Sequence, residues 1–120
     1  MLDAINTATV NACDALDGVT DAVVSAISIC KFDPASIVGQ KVDCNETEVT
    51  MRKLDAKVVK GIWHGPQTRT GSFLWYGLNP GAPLDGVGDT VCRSIGDCTG
   101  LPFEISTDYF TRWVLQNPDF

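Results

Sequence analysis

The sequence predicts an α+β subdomain and not a complete sheet architecture. Three observations predict it. Helical periodicity appears in three separated segments; only two stretches read as extended; and Gly/Pro-rich or polar loops fill the spaces between them. The order α, extended, loop, α, strand, loop, α leaves too few strands to close a sheet and cover it.

Each element follows from its residues. Residues 6–16 are expected to be helical, with Asn6 or Thr7 as cap and Val10, Cys13 and Leu16 at helical spacing. Asp17-Gly18 ends that helix. "AVVSAISIC" is β-branched and apolar, and is expected to run extended into Cys30. "KFDPASIVGQ" is a turn, because Pro34 removes a donor and biases Asp33 away from helix. Residues 39–50 read as polar loop. In "TMRKLDAKVVKGIWHGP" the second helix has Leu54, Val58 and Ile62 on its apolar face, joined by Val59 and Trp63. Thr50 is its expected cap, and Gly65-Pro66 its stop. "GPQTRTG" is a turn, "SFLWYGL" a strand-like aromatic run, and "NPGAPLDGVGDT" a loop. Cys92 and Cys98 bracket another loop. The last helix covers roughly 104–116, with Ile105, Tyr109 and Trp113 on one stripe. There is no internal repeat, and residues 1–120 read as one segment.

Composition bounds the function. The chain has 120 residues, is 44% hydrophobic and 20% charged, and carries a net charge of −6. That is a globular composition. Twelve of the fifteen acidic residues are Asp. Such a surface repels nucleic acid and anionic membranes, and no apolar run is long enough to span a bilayer. Five cysteines without a C-x-x-C pair disfavour a zinc ribbon or thioredoxin site. Asn45-Glu46-Thr47 is a glycosylation sequon. Cysteines and sequon together favour a secreted, extracellular protein. "MLDAINTATV" is not a signal peptide, and the cysteine count is odd, so the chain is expected to be part of something longer.

The sharpest local feature is "CDALDGVTDAVV", Cys13 to Val24. Asp14, Asp17 and Asp21 crowd together with no Lys or Arg between them. Three adjacent carboxylates are costly without a cation. Calcium takes six to eight hard oxygens at flexible angles. The three carboxylates can supply part of that shell. Gly18 lets the backbone turn, and Val19 and Val23 are natural carbonyl donors because their side chains offer no oxygen. The spacing is not that of an EF-hand, and an acidic turn after a helix is the competing reading. Cys13 and Cys30 flank the loop. A bridge between them would close about 15 residues and contribute ~3 kcal/mol in the chain-entropy model. Cys92 and Cys98 can close a second loop, leaving Cys44 over. Sequence alone does not fix the connectivity.

No catalytic constellation is visible. No serine stands in a G-x-S-x-G elbow. The one histidine, His64 in "IWHGP", reads as a surface residue near a helix end. Trp63, Phe73, Trp75 and Tyr76 read as core in preference to a sugar or aromatic ligand site.

"ATVNACDALDGVTDAVVSAISICKFDPASIVGQ", "IWHGPQTRTGSFLWYGL" and "FTRWVLQNPDF" resemble the tannase and feruloyl esterase family of secreted hydrolases. The likeness covers nearly the whole chain, with 80–100 its weakest part. It implies an α/β-hydrolase parent with an inserted lid domain, cleaving esters of aromatic acids such as feruloyl or galloyl esters. The chain resembles part of that lid. The resemblance implies a structural calcium ion held by Asp14, Asp17 and Asp21 through carboxylates and by Val19 and Val23 through carbonyls. It also implies a Cys13–Cys30 bridge. The family's catalytic serine, aspartate and histidine have no counterparts here, and Cys44 lacks the partner that many members have. The expected partners are the rest of the parent chain and, in the whole enzyme, the ester substrate. The alternative is a standalone secreted, disulfide-stapled calcium-binding module without catalysis.

Overall fold

The computed structural model describes residues 1–44, 47–94 and 97–119; the side chains of Cys44, Thr47, Cys92 and Cys98 are also outside the description. The chain divides into two compact units, Met1–Asp85 and Gly86–Phe120. The architecture is mixed helix and strand, as expected.

In the first unit, α1 spans Leu2–Cys13. It starts four residues earlier than the sequence suggests. Its buried face is Ile5, Thr9 and Cys13, whereas Leu16 is 43% exposed. Thr9 tolerates the core because its hydroxyl donates to the Ile5 carbonyl at 2.7 Å, leaving no buried donor unpaired. The helix tightens into a 3-10 turn, Asp14–Asp17, and ends at Gly18, whose φ of 91° is the left-handed stop expected of Asp-Gly. "AVVSAISIC" is not a strand: it is irregular and ends in a 3-10 turn, Ile27–Ile29. The Pro34 turn forms as expected, as a 3-10 turn over Pro34–Ile37 with the Asp33 carboxylate accepting from the Ala35 amide at 2.8 Å.

Residues 39–50 are not loop. Lys41–Cys44 (β1) pairs antiparallel with Thr47–Thr50 (β2), with Val42 opposite Val49. Valines alternating with Lys, Asp, Glu and Thr are the period-2 pattern of a half-buried pair. Then α2 spans Lys53–His64. Its cap is Arg52, not Thr50. The Asp55 carboxylate accepts from the Arg52 amide at 2.9 Å and from the guanidinium at 2.9 Å, so the cap turns on a charge pair. The buried face is Asp55, Ala56 and Val59. Leu54 and Val58 are 61% and 42% exposed, so two of the three residues expected to face the core lie on the open side. The core itself is Ile5, Ile37, Met51, Val59 and Leu84, with Phe32, Val42, Ile62 and Trp63 packed around it.

In the second unit, Thr90–Ser94 (β3) and Asp97–Gly100 (β4) pair antiparallel, with a register irregularity between Cys92 and Ser94. Glu104–Tyr109 (α3) continues into one wide π turn, Phe110–Val114. The Leu115 amide donates to the Phe110 carbonyl at 2.8 Å, an i→i−5 bond that shortens the α-helix expected over 104–116. Among the described residues, no helix is long and apolar enough to cross a membrane.

Candidate functional site

The acidic loop begins where α1 stops. Cys13 is buried and forms a disulfide with Cys30, Cα to Cα 5.4 Å. The bridge closes the loop at both ends, as the family resemblance implies. Asp14 lies just inside it and is 8% exposed. Its Oδ1 accepts from the Asp21 and Val23 amides, each at 3.2 Å. Asp17 Oδ1 accepts from the Val19 amide at 2.9 Å, and Asp21 Oδ1 from the Val23 amide at 3.1 Å. The three aspartates therefore shape the loop by receiving the amides of Val19 and Val23, the residues expected to offer carbonyls, and of Asp21 itself. Ala22 holds a φ of 63° between them, a left-handed conformation unusual for a residue with a Cβ. Val24, 8% exposed, anchors the far end against Gly81, where a Cβ would come within 2.6 Å of its Cγ2.

The donor chemistry suits calcium: hard carboxylate oxygens, one of them on a buried side chain that forms no ion pair among the described residues. Each hydrogen bond uses Oδ1 and leaves Oδ2 without a protein partner among the described residues. Convergence is a separate matter. Among the described residues, no three His, Cys, Asp or Glu are gathered closely enough to hold a metal ion. The loop has suitable ligands in kind, turned toward its own amides.

A second feature follows α2. Gly65 and Gly77 bring two backbone segments into direct contact: a Cβ on either would collide with the backbone of the other segment. The Leu78 amide donates to the Ile62 carbonyl at 3.1 Å across the same junction. This pins the stretch that carries the aromatic side chains. "SFLWYGL" forms a single bridge, Gln67 to Phe73, and not a strand. Phe73, Trp75 and Tyr76 are 60%, 67% and 74% exposed, so they are not core here. They pack edge-to-face on one another, with centroids 5.1 Å apart for Phe73–Tyr76 and 5.8 Å for Trp75–Tyr76. Trp63 does pack on the core, though its Nε1 finds no hydrogen-bond partner among the described residues. Tyr76, Ile62, Pro66 and Leu78 line a shallow hollow of about 480 Å³. The second unit has a groove of its own, about 700 Å³. Leu101, Phe103 and Ile105 give it apolar walls, and Asp89, Glu104 and Asp108 add acid.

His64 is an exposed residue at the end of α2, as expected, with Nδ1 2.6 Å from the Lys60 carbonyl. A ring nitrogen held there donates, which fixes the tautomer. Lys60 also reaches Asp33 at 2.8 Å, tying α2 to the Pro34 turn. That hydrogen bond, with the Ala35 amide, holds the Asp33 carboxyl below its ordinary range. Burial pushes Asp55 up, but the Arg52 guanidinium and amide outweigh it and hold Asp55 below its ordinary value of 3.8. Sequence reasoning missed both ion pairs; the Arg52-x-x-Asp55 spacing, one helical turn, was the signal available. The backbones of Cys92 and Cys98 stand opposite each other across β3 and β4, but the expected bridge, like the pairing of Cys44 and the sequon at Asn45, lies outside the described residues.

Residues 1–95 match the family model described as tannase and feruloyl esterase. A probable feruloyl esterase from Arthroderma benhamiae is 33% identical across the whole chain, which covers 22% of that protein. Among solved structures, the chain superposes on a tannin acyl hydrolase from Aspergillus niger with a TM-score of 0.80 at 26% identity, covering 97% of this chain and 22% of that one. A feruloyl esterase B from Aspergillus oryzae gives a TM-score of 0.62 at 22% identity, covering 99% of this chain and 22% of that one, a likeness of fold. The chain thus spans about a fifth of the length of the relatives it matches.

Proposed function

The chain belongs to the tannase and feruloyl esterase family, and we propose that it is one segment of a secreted carboxylic ester hydrolase acting on esters of aromatic acids. The observation that carries this reading is the family match over residues 1–95 in a chain that spans only 22% of its relatives. The segment's role is that of a lid. It covers the reaction site, excludes water and shapes the pocket around an aromatic group. The chemistry itself belongs to residues elsewhere in the hydrolase. Two features support a covering role over a catalytic one: a disulfide-closed loop on a packed unit, and aromatic side chains on a pinned backbone with most of their surface open.

In this reading the acidic loop holds a structural calcium ion. Asp14, Asp17 and Asp21 would supply carboxylates, and Val19 and Val23 carbonyl oxygens. The ion would neutralise the crowded acids and stiffen the loop. Support comes from the buried Asp14 carboxylate and from the Oδ2 atoms, the former without a cationic partner and the latter without a hydrogen bond among the described residues.

The test is an assay of the whole protein that contains this chain, on methyl esters of ferulic and gallic acid beside aliphatic esters. Hydrolysis of the aromatic esters by the whole protein, and none by the 120 residues alone, is expected. A whole protein inert on all of them, or turnover by the chain alone, would overturn the reading. The calcium part is tested by calorimetric titration of the chain. Heat and a raised melting temperature are expected, both lost in Asp14→Asn. No heat with the unsubstituted chain means an acidic turn and nothing more.

A further inference from the structure

The tetrapeptide Leu-Asp-Gly-Val occurs twice, at 16–19 and at 84–87. Both glycines hold left-handed backbone, φ 91° at Gly18 and 75° at Gly86. Both aspartates are exposed. An Asp-Gly step can convert by a known route. The glycine amide nitrogen attacks the side-chain carboxyl carbon of the protonated aspartic acid. A C–N bond forms, the amide proton and the carboxyl hydroxyl leave as water, and a five-membered succinimide results. Water then opens the ring at either carbonyl, giving aspartate or the β-linked isoaspartate. Glycine favours the route because it has no side chain to hinder the approach. Two groups must be free: the carboxyl and the following amide.

At the first site neither is free. The Asp17 carboxylate accepts from the Val19 amide at 2.9 Å, and the Gly18 amide donates to the Ala15 carbonyl at 3.2 Å. The surrounding loop is also closed by the Cys13–Cys30 bridge. At the second site neither is engaged within its own unit among the described residues. The Asp85 carboxylate has no hydrogen bond or ion pair within Met1–Asp85, and the Gly86 amide has no acceptor within Gly86–Phe120. We propose that Asp85-Gly86 is a site of spontaneous isoaspartate formation, and that the fold protects its sequence twin Asp17-Gly18. The product would carry one extra methylene in the main chain at Asp85, at unchanged charge.

The two steps share four residues, so folding is the variable that separates them. The experiment ages the 120-residue chain at neutral pH and physiological temperature in EDTA, natively and in urea. Each step is then read by digestion and electron-transfer fragmentation, which distinguishes the β-linkage by mass. Isoaspartate at Asp85 is expected to exceed that at Asp17 by about tenfold or more in the native chain. That is the factor expected when two hydrogen bonds, each of ordinary strength, must open first. In urea the two rates should converge, and Asp85→Glu should remove the product at that step, since Glu would need a larger ring. Equal rates in the native chain, or a contrast that persists in urea, would overturn the proposal. Amide exchange gives an independent reading: Gly18 slow and Gly86 fast is expected, and the reverse order would contradict the premise.

Discussion

The two units bury their apolar residues very differently. In Met1–Asp85, Ile5 and Val59 are 0% exposed, and Met51 and Leu84 1%. Helices, turns and the β1–β2 pair meet on one core. In Gly86–Phe120 the one buried side chain among the described residues is Thr111, while Ile105, Tyr109, Phe110 and Trp113 are between 57% and 73% exposed. Both regions carry apolar periodicity. Only the first covers that pattern within its own unit. Amphipathic spacing reports that a face will be covered, and is silent on whether the cover lies in the same stretch of chain. A segment that spans 22% of its relatives has room for the second kind of face.

Substitutions break or sharpen this contrast. The largest effect is expected at Ile5→Ala, where a fully buried side chain leaves a cavity; the chain should lose about 2–5 kcal/mol of stability in urea titration. Paired Cys13→Ser and Cys30→Ser should cost about 3 kcal/mol, because the unfolded chain regains the freedom of the closed loop. Asp55→Ala removes the carboxylate that receives the Arg52 amide at the start of α2 and should cost about 1 kcal/mol by thermal melting. The same residue gives a pH dependence with a definite sign. Its folded pKa lies below the ordinary 3.8, so its stabilisation is complete above that value and is lost as the pH falls through the lower folded one. Acid titration of Asp55→Asn should lack that component. The smallest effect is expected in the second unit: Trp113→Ala, at 73% exposure, should shift stability of this chain by no more than about 0.5 kcal/mol. A loss near that of Ile5→Ala would mean that the second unit has a core of its own.

Much of this was legible in the sequence, and the misses have causes. The body of α2, its Gly65-Pro66 stop, the Gly18 terminator and the Pro34 turn follow from local chemistry, and all are present. The Leu54/Val58 face was mistaken for the buried one because periodicity defines a stripe, whereas packing decides which edge of it is covered; Ala56 and Val59 won, with Asp55 tolerated through Arg52. β1 and β2 were missed because four-residue strands rich in Asp, Glu and Thr carry a weak apolar signal, here only Val42 and Val49. The aromatic run was expected inside because Trp and Phe are usually buried, and it lies outside in this chain. The acidic loop was legible as a candidate from three aspartates and a glycine. Its hydrogen bonds were not, because an aspartate that can bind a cation can equally receive an amide two residues on.

The contrast between the two units is tested most directly by residue-resolved amide exchange on the 120-residue chain. Strong protection is expected in the hydrogen-bonded turns of α1 and α2 around Thr9 and Val59, with exchange near the open-chain rate through 104–114. Equal protection in both regions would contradict it, since the second unit would then be held by contacts as strong as those of the core.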